Sequence, residues 1–476
     1  MLVRQSAVYA FGAIALAVIA LVMVAVYSRL FTAEQYGTFA IVMSSAALAY
    51  GTTLNWLSTT IIRMYAASPD KNGFLGAVLY YYLLIAAVAI LGSLAALGWL
   101  ETSEERTLVV VGLCVFLSIG WMELQFRIYQ ARLEAARLTR ARLVRSTLGA
   151  ILGASLAWAG WGPVGALIGV VAGAVLPALI EIILVWRHVP IGGTIAVRES
   201  LWKFGSPLIA SFALGQVSRF SGRYLVIWLE GVAMVGIYSL ALELAARLAN
   251  TLLMPINSAA APLVVDRVEQ NNHAAARASL RNAFVLFVGI ALPSVTGISF
   301  VAADLATVFV GEEFRAGVVL LLPLLVLSFF ITGLTNSYLD LSLHLSLNSK
   351  RILYRSIAGS ILNLVLGFLL IRSHGLIGAA YASLITAVAM GAFTWWLGRD
   401  AFKLPFPLWP LSKLIAATAL MAGALLFVDT QPGFVGLLVK VLVGVTVYGL
   451  ALLLLDVEGV RGRLPELLKK VQKRIG

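Results

Sequence analysis

Fourteen mostly apolar stretches follow one another along the chain, near 8–29, 38–61, 76–98, 107–128, 145–162, 165–186, 205–229, 232–256, 283–309, 316–345, 354–371, 376–397, 409–428 and 433–455. Each is long enough, or nearly so, to cross a hydrocarbon core about 30 Å thick as a helix. Barrel strands would be half as long and would alternate apolar with polar positions. The polar segments between are short, and none could bury a core of its own. The pattern therefore predicts an all-α polytopic membrane protein of about 14 transmembrane helices, without a large soluble catalytic domain. The first stretch follows a lone Arg4, is too long for the apolar core of a signal peptide and offers no convincing A-x-A cleavage site, so a retained first span is expected.

Composition agrees with this reading. Of the 476 residues 61% are hydrophobic and 12% charged, and the mean hydropathy is +0.95, where soluble domains carry about 25% charged residues. The single cysteine, Cys114, lies within a span, so no intrachain disulfide can form. A net charge of +13 would suit nucleic acid, but the placement of the charges points elsewhere. With the N-terminus inside, 27 of the 35 basic residues fall in cytoplasmic segments, including six arginines from Arg127 to Arg145 and six basic residues from Arg461 to Arg474. This positive-inside pattern holds loop after loop and puts both termini in the cytoplasm. It makes anionic inner-leaflet lipids, touched by the basic tail, the expected polyanionic partner, and not nucleic acid. Tryptophans near the span ends form the matching aromatic belt, while Trp56 and Trp121 lie too deep to act as anchors.

An internal repeat divides the spans. Tyr36-Gly37-Thr38-Phe39-Ala40 opens the second and Val235-Gly236-Ile237-Tyr238-Ser239 the eighth, at an offset of 199 residues. Gly162-Pro163-Val164-Gly165-Ala166 opens the sixth and Gly375-Leu376-Ile377-Gly378-Ala379 the twelfth, at an offset of 213, which also relates Arg142 to Arg355. Residues 1–200 (spans 1–6) and 201–400 (spans 7–12) are therefore expected to form two homologous six-helix bundles. A pseudo-twofold axis would stand along the membrane normal, with a substrate path between the bundles. Residues 401–476 would add spans 13 and 14 and a basic tail, after the proline-rich linker Leu404–Pro410.

The chemistry rests on charges inside spans. Arg219 and Arg223 lie one helical turn apart in the seventh span, Arg219 near its middle. A charge at that depth costs roughly 2.5–3.5 kcal/mol on insertion scales. Two on one face suggest a wet cationic cavity whose guanidinium forks take phosphate oxygens. The structural alternative is snorkelling, with Arg223 reaching outward near Trp228. Glu243 and Arg247 stand four residues apart in the eighth span, either as a self-neutralising pair or with Glu243 holding Arg219 or Arg223 until substrate arrives. Arg63 ends the second span as a lipid anchor or as a first contact for an anionic headgroup. Asp340 and His344, also four apart, are candidates for ion coupling or for plain interfacial structure; Glu181 and Asp304 read likewise as interfacial structure. There is no GxxxxGK[ST], no HExxH and no Cys/His ligand set, so neither a P-loop nucleotide site nor a metal site is expected, nor any other cofactor.

The segment Tyr27-Ser28-Arg29-Leu30-Phe31-Thr32-Ala33-Glu34-Gln35-Tyr36-Gly37-Thr38-Phe39 resembles the early signature of polysaccharide flippases. Gly236-Ile237-Tyr238-Ser239-Leu240-Ala241 resembles its second-bundle counterpart, and Gln130-Ala131-Arg132-Leu133 through Arg145 the basic loop between the fourth and fifth spans. The chain is thus similar to the Wzx-type and lipid II flippase branch of the multidrug/oligosaccharidyl-lipid/polysaccharide exporter superfamily. That resemblance implies a non-enzymatic flippase in a bacterial inner membrane. It would carry polyprenyl-(pyro)phosphate-linked oligosaccharide outward for cell-surface polysaccharide biosynthesis, alongside a polymerase and export machinery. Arg219, Arg223 and Arg247 would take the pyrophosphate and Arg63 would stand near the inner mouth. Many relatives carry an Asp just before the basic residue of the seventh span, where this chain has Gly222, which leaves the coupling ion open. A drug or metabolite exporter of the same architecture is the alternative, followed by a membrane glycosyltransferase, polymerase or ligase.

Overall fold

In a computed structural model the described residues are 2–269, 273–345, 349–399, 404–459 and 461. Among them every regular element is helical: α1 (Leu2–Leu30), α2 (Ala33–Thr53), α3 (Asn55–Met64), α4 (Lys71–Leu97), α5 (Ser103–Ala131), α6 (Ala135–Leu156), α7 (Gly162–Glu181), α8 (Ile195–Glu230), α9 (Val232–Glu269), α10 (His273–Phe300), α11 (Ala302–Phe309), α12 (Glu312–Leu334), α13 (Asp340–Leu345), α14 (Ser349–His374), α15 (Leu376–Gly398), α16 (Leu408–Leu426) and α17 (Phe434–Leu454). The basic tail beyond Arg461 lies outside the described residues.

Eleven helical stretches among the described residues are apolar and long enough to cross a membrane, and α2 with α3, bent by 47°, makes a twelfth. One of the eleven, Ala135–Trp186, is 52 residues long, about 78 Å if straight, too long for one pass. It turns back at Gly160 and Gly162, whose φ of 94° and 51° suit glycine alone, and α6 and α7 then pack as a hairpin. Adding the 36-residue α8, whose apolar run is interrupted by its own charges, accounts for the fourteen expected passes. Two expected spans prove to be broken. The second bends at Leu54, which leaves the helix without proline or glycine, while Trp56 Nε1 donates to Thr53 O at 2.8 Å across the joint. The ninth breaks at Val301, just before Asp304.

The chain falls into two compact units, Met1–Ser239 with Ser360–Ile371 and Leu240–Gly359 with Arg372–Gly476. This is a division by packing, whereas the expected bundles divide the chain by repeat. In the first unit α1 packs on α6, α5 on α7, and α8 on α2, α3 and α4. Its core runs through Leu54, Trp56, Leu57, Ile61, Phe74 and Leu124, all nearly inaccessible. Trp56 is therefore a core residue, which explains its unexpected depth. In the second unit α12 packs on α15, α10 on α12 and α16, and α16 on α17. Lys440 Nζ donates to Asp304 Oδ2 at 2.8 Å, and Gly433 N donates to Asp304 Oδ1 at 3.1 Å. The fully buried Asp304 thereby fastens α17 to α11.

Candidate functional site

The flippase-like signature is a helix start. Thr32 and Gln35 form a reciprocal capping box at the head of α2, so its first turn is fixed. Tyr27 stacks on Phe31 at 5.2 Å, and Phe39 closes on Tyr27 at 5.3 Å and on Tyr36 at 6.0 Å. Gly37 then lies so close to the Val232 carbonyl that a Cβ would overlap it, and Gly236 stands in the same relation to the Ala33 carbonyl. The two glycines matched by the repeat thus meet in one helix crossing.

From this crossing α2 descends along α8, which carries the arginines. Thr194 caps the start of α8 through Val197 N, and 36 residues extend it to about 54 Å. The guanidinium carbons of Arg219 and Arg223 lie 5.8 Å and 5.7 Å from the Phe220 ring centroid. Arg223 Nη1 donates to Ser44 Oγ at 3.0 Å, while its buried Nε has no hydrogen-bond partner. Arg219 is exposed and makes no hydrogen bond within the described residues. Neither arginine meets a carboxylate there. Two adjacent guanidinium groups thus lie in one stretch of α8, one bonded to a neutral hydroxyl and the other exposed. The bond from Arg223 to Ser44 runs sideways to α2, so this guanidinium is held inside the unit.

Polar contacts stiffen the surroundings. Ser45 Oγ and Tyr224 Oη share a hydrogen bond of 2.8 Å, and Ser221 Oγ donates to Asn363 Oδ1 at 3.0 Å, tying α8 to α14. Gln216 packs against Gly51 so closely that a Cβ there would strike its amide. A Cβ at Gly222 would stand 3.0 Å from Tyr238 Oη, so the acidic residue of many relatives would need that hydroxyl to move or to donate to it. Ser44, Ser45, Tyr224 and Asn363 were not among the residues expected from sequence. The one available signal was the Ser44-Ser45 pair, set in an apolar run from Phe39 to Ala49.

Arg63 lies at the far end of α3, exposed, with its guanidinium 5.9 Å from the Phe204 ring of α8. Fifteen residues of helix separate Phe204 from Arg219, about 22 Å of rise. In the second unit Arg247 Nη2 donates to Glu243, so in this conformation the pair neutralises itself, and Arg247 Nε is buried without a partner. Asp340 follows the distorted turn Thr335–Leu339 and pairs with Arg355 Nη1 at 2.6 Å. The side chain of His344 lies outside the described residues. Tyr129 donates to the buried Glu181, joining α5 to α7.

Solved structures of similar fold include a lipid II flippase and multidrug resistance transporters. The lipid II flippase MurJ in an inward closed conformation aligns with a TM-score of 0.72 at 15% identity, over 94% of this chain and 98% of that one. A multidrug resistance MATE family transporter of the MOP superfamily aligns in its inward-facing conformation with a TM-score of 0.56 at 16% identity, over 81% of this chain and 94% of that one. In its outward-facing conformation such a transporter aligns with a TM-score of 0.54 at 18% identity, over 84% and 94%. At these identities the likeness is one of fold. No curated protein matches significantly. A family model described as polysaccharide biosynthesis protein matches residues 26–319, more than half of the chain, from the aromatic signature of α2 through the arginines of α8. A multi-pass membrane protein that shares its fold with these MurJ and MATE structures, the chain belongs to the polysaccharide biosynthesis protein family.

Proposed function

We propose that this protein carries polyprenyl-(pyro)phosphate-linked oligosaccharide from the inner to the outer leaflet of a bacterial inner membrane by alternating access. Both termini would lie in the cytoplasm, as the basic loops indicate. The observation that carries the reading is the pair Arg219 and Arg223: two guanidinium groups beside Phe220 with no carboxylate partner among the described residues, one of them held by Ser44. A phosphate or pyrophosphate supplies the missing charge with bidentate geometry. Arg63 greets the headgroup at the inner mouth. Arg247 joins when Glu243 lets go of it, which couples arrival of the anion to a change of partners. The bundles 1–200 and 201–400 rock about the pseudo-twofold axis, and a polymerase and export machinery consume the product.

The membrane potential favours this direction. At about 2.3 kcal/mol per charge per 100 mV, a doubly charged headgroup leaving an inside-negative cell gains roughly 4–5 kcal/mol. The reading is tested by surface glycan export in cells expressing Arg219→Ala, Arg223→Ala and the double variant at matched levels. Loss of export supports it. Full export by the double variant, or efflux of a cationic dye without movement of lipid-linked sugar, rejects it.

A further inference from the structure

Helices α2, α4, α5 and α8 of the first unit line an elongated open groove of about 940 Å³ whose wall is almost entirely carbon. Trp56, Tyr81 and Trp202, packed edge-on and stacked at 5.3–6.0 Å, close one end, and Leu100 and Glu105 stand at the other. Along α4 the lining runs from Tyr81 to Ala96, about 22 Å of helix rise, so volume over length gives a mean bore of about 7 Å. The space exists because α4 and α5 present small side chains to it, Gly92, Ala96 and Gly112 among them.

We propose that this cavity is a binding groove for the polyprenyl chain of the transported lipid, an inference that rests on the headgroup reading above. An apolar cavity set within the membrane takes hydrocarbon. The question is which hydrocarbon, and continuity with the cationic pair decides it. Ser45 lines the groove and bonds to Tyr224, while its neighbour Ser44 accepts from Arg223. The wall of the groove on α2 therefore passes one residue from the proposed anion site. Bilayer phospholipids keep their phosphates at the interface. A lipid whose phosphate is drawn to Arg223, seven residues inside the α8 end at Glu230, carries its chain in below the interface and needs a slot there to receive it.

The experiment uses the full chain in proteoliposomes and a polyprenyl phosphate bearing a diazirine in its distal isoprene units. After illumination, modified residues are mapped by mass spectrometry, with unlabelled polyprenyl phosphate or phosphatidylglycerol as competitor. Gly92→Phe places a ring in the groove from a position where a Cβ meets no atom within 4 Å. The expected result is labelling on the facing residues of α4 and α5 that polyprenyl phosphate competes away, phosphatidylglycerol does not, and Gly92→Phe reduces at least fivefold. Labelling only elsewhere overturns the proposal, and so does equal competition by phosphatidylglycerol, which would make the occupant ordinary bilayer lipid. If the groove fails while the Arg219→Ala, Arg223→Ala double variant is transport-dead, the headgroup reading stands alone. If that double variant transports normally while the groove labels as expected, the headgroup reading falls and the groove remains a polyprenyl site.

Discussion

Gly37 on α2 and Gly236 on α9 each lie against the other helix's backbone, Gly37 on the Val232 carbonyl and Gly236 on the Ala33 carbonyl, so neither position has room for a Cβ. The contact is reciprocal: each glycine meets the residue four places before its counterpart, as in an isologous interface. The offset of 199 found in the sequence is thus a symmetry of packing at the expected outer end. Buried Tyr36 and Val235 flank it.

If the proposed alternating-access cycle operates and the expected outer end faces outward, this crossing would part for release. Gly37→Leu and Gly236→Leu should each shift the population toward an outward-open form. Spin labels at Glu34→Cys and Glu230→Cys, both exposed positions, in a Cys114→Ser background report the separation. The expected result is a new longer-distance component in the leucine variants, weaker in Gly37→Ala. An unchanged distribution in folded variants would make the crossing a static joint.

Arg63 is expected to act on capture rather than on the central step. It is exposed on Phe204 and distant from Arg219 along α8. Arg63→Ala should raise the half-saturating concentration of lipid-linked sugar about fivefold, matching about 1 kcal/mol for one exposed charge contact. The maximal rate should stay unchanged. A fall in maximal rate at constant half-saturation would place Arg63 in the moving machinery instead.

The pair Asp304–Lys440 is structural in this account. Each single change, Asp304→Asn or Lys440→Met, leaves one buried polar or charged group without its partner and should destabilise by about 3–5 kcal/mol. Joint replacement by Asp304→Leu and Lys440→Met should recover much of that loss in thermal unfolding of the purified protein. Single variants as stable as the parent would show that α17 is held by packing alone.

Asp340 invites a similar separation of roles. It pairs with Arg355 at 2.6 Å, so ion coupling would have to compete with that bond. Exchanging the charges, Asp340→Arg with Arg355→Asp, should restore flipping lost in either single variant. An exchanged protein that folds and reaches the membrane yet stays inactive would show that the carboxylate at 340 does more than pair.

Much of the fold was legible because hydrophobic runs of membrane length have few interpretations. The turn between α6 and α7 was legible too, since Gly160-Trp161-Gly162-Pro163 can hardly continue a helix. The bend at Leu54 was not: no proline stands there, the nearest glycine, Gly51, is three residues earlier, and Trp56 just beyond it packs closely on Gly205 of a distant helix. Asp304 and Lys440 were each visible as charges in apolar surroundings, but 136 residues separate them, and no local pattern joins them. At the site, Arg219 and Arg223 stood out by their cost in a membrane. Ser44 and Asn363 carry no such cost, so nothing in composition distinguished them from other polar residues in spans.

The most direct measurement of the central claim is the flipping rate of a fluorescent polyprenyl-pyrophosphate-linked sugar in proteoliposomes containing equal amounts of parent or Arg219→Ala, Arg223→Ala double variant. Hydrogen bonds to charged groups contribute about 1.5–3 kcal/mol each, so losing both guanidinium groups should slow flipping by at least about 150-fold, while Arg219→Lys retains part of the rate. A double variant that flips the lipid at the parental rate would contradict the account.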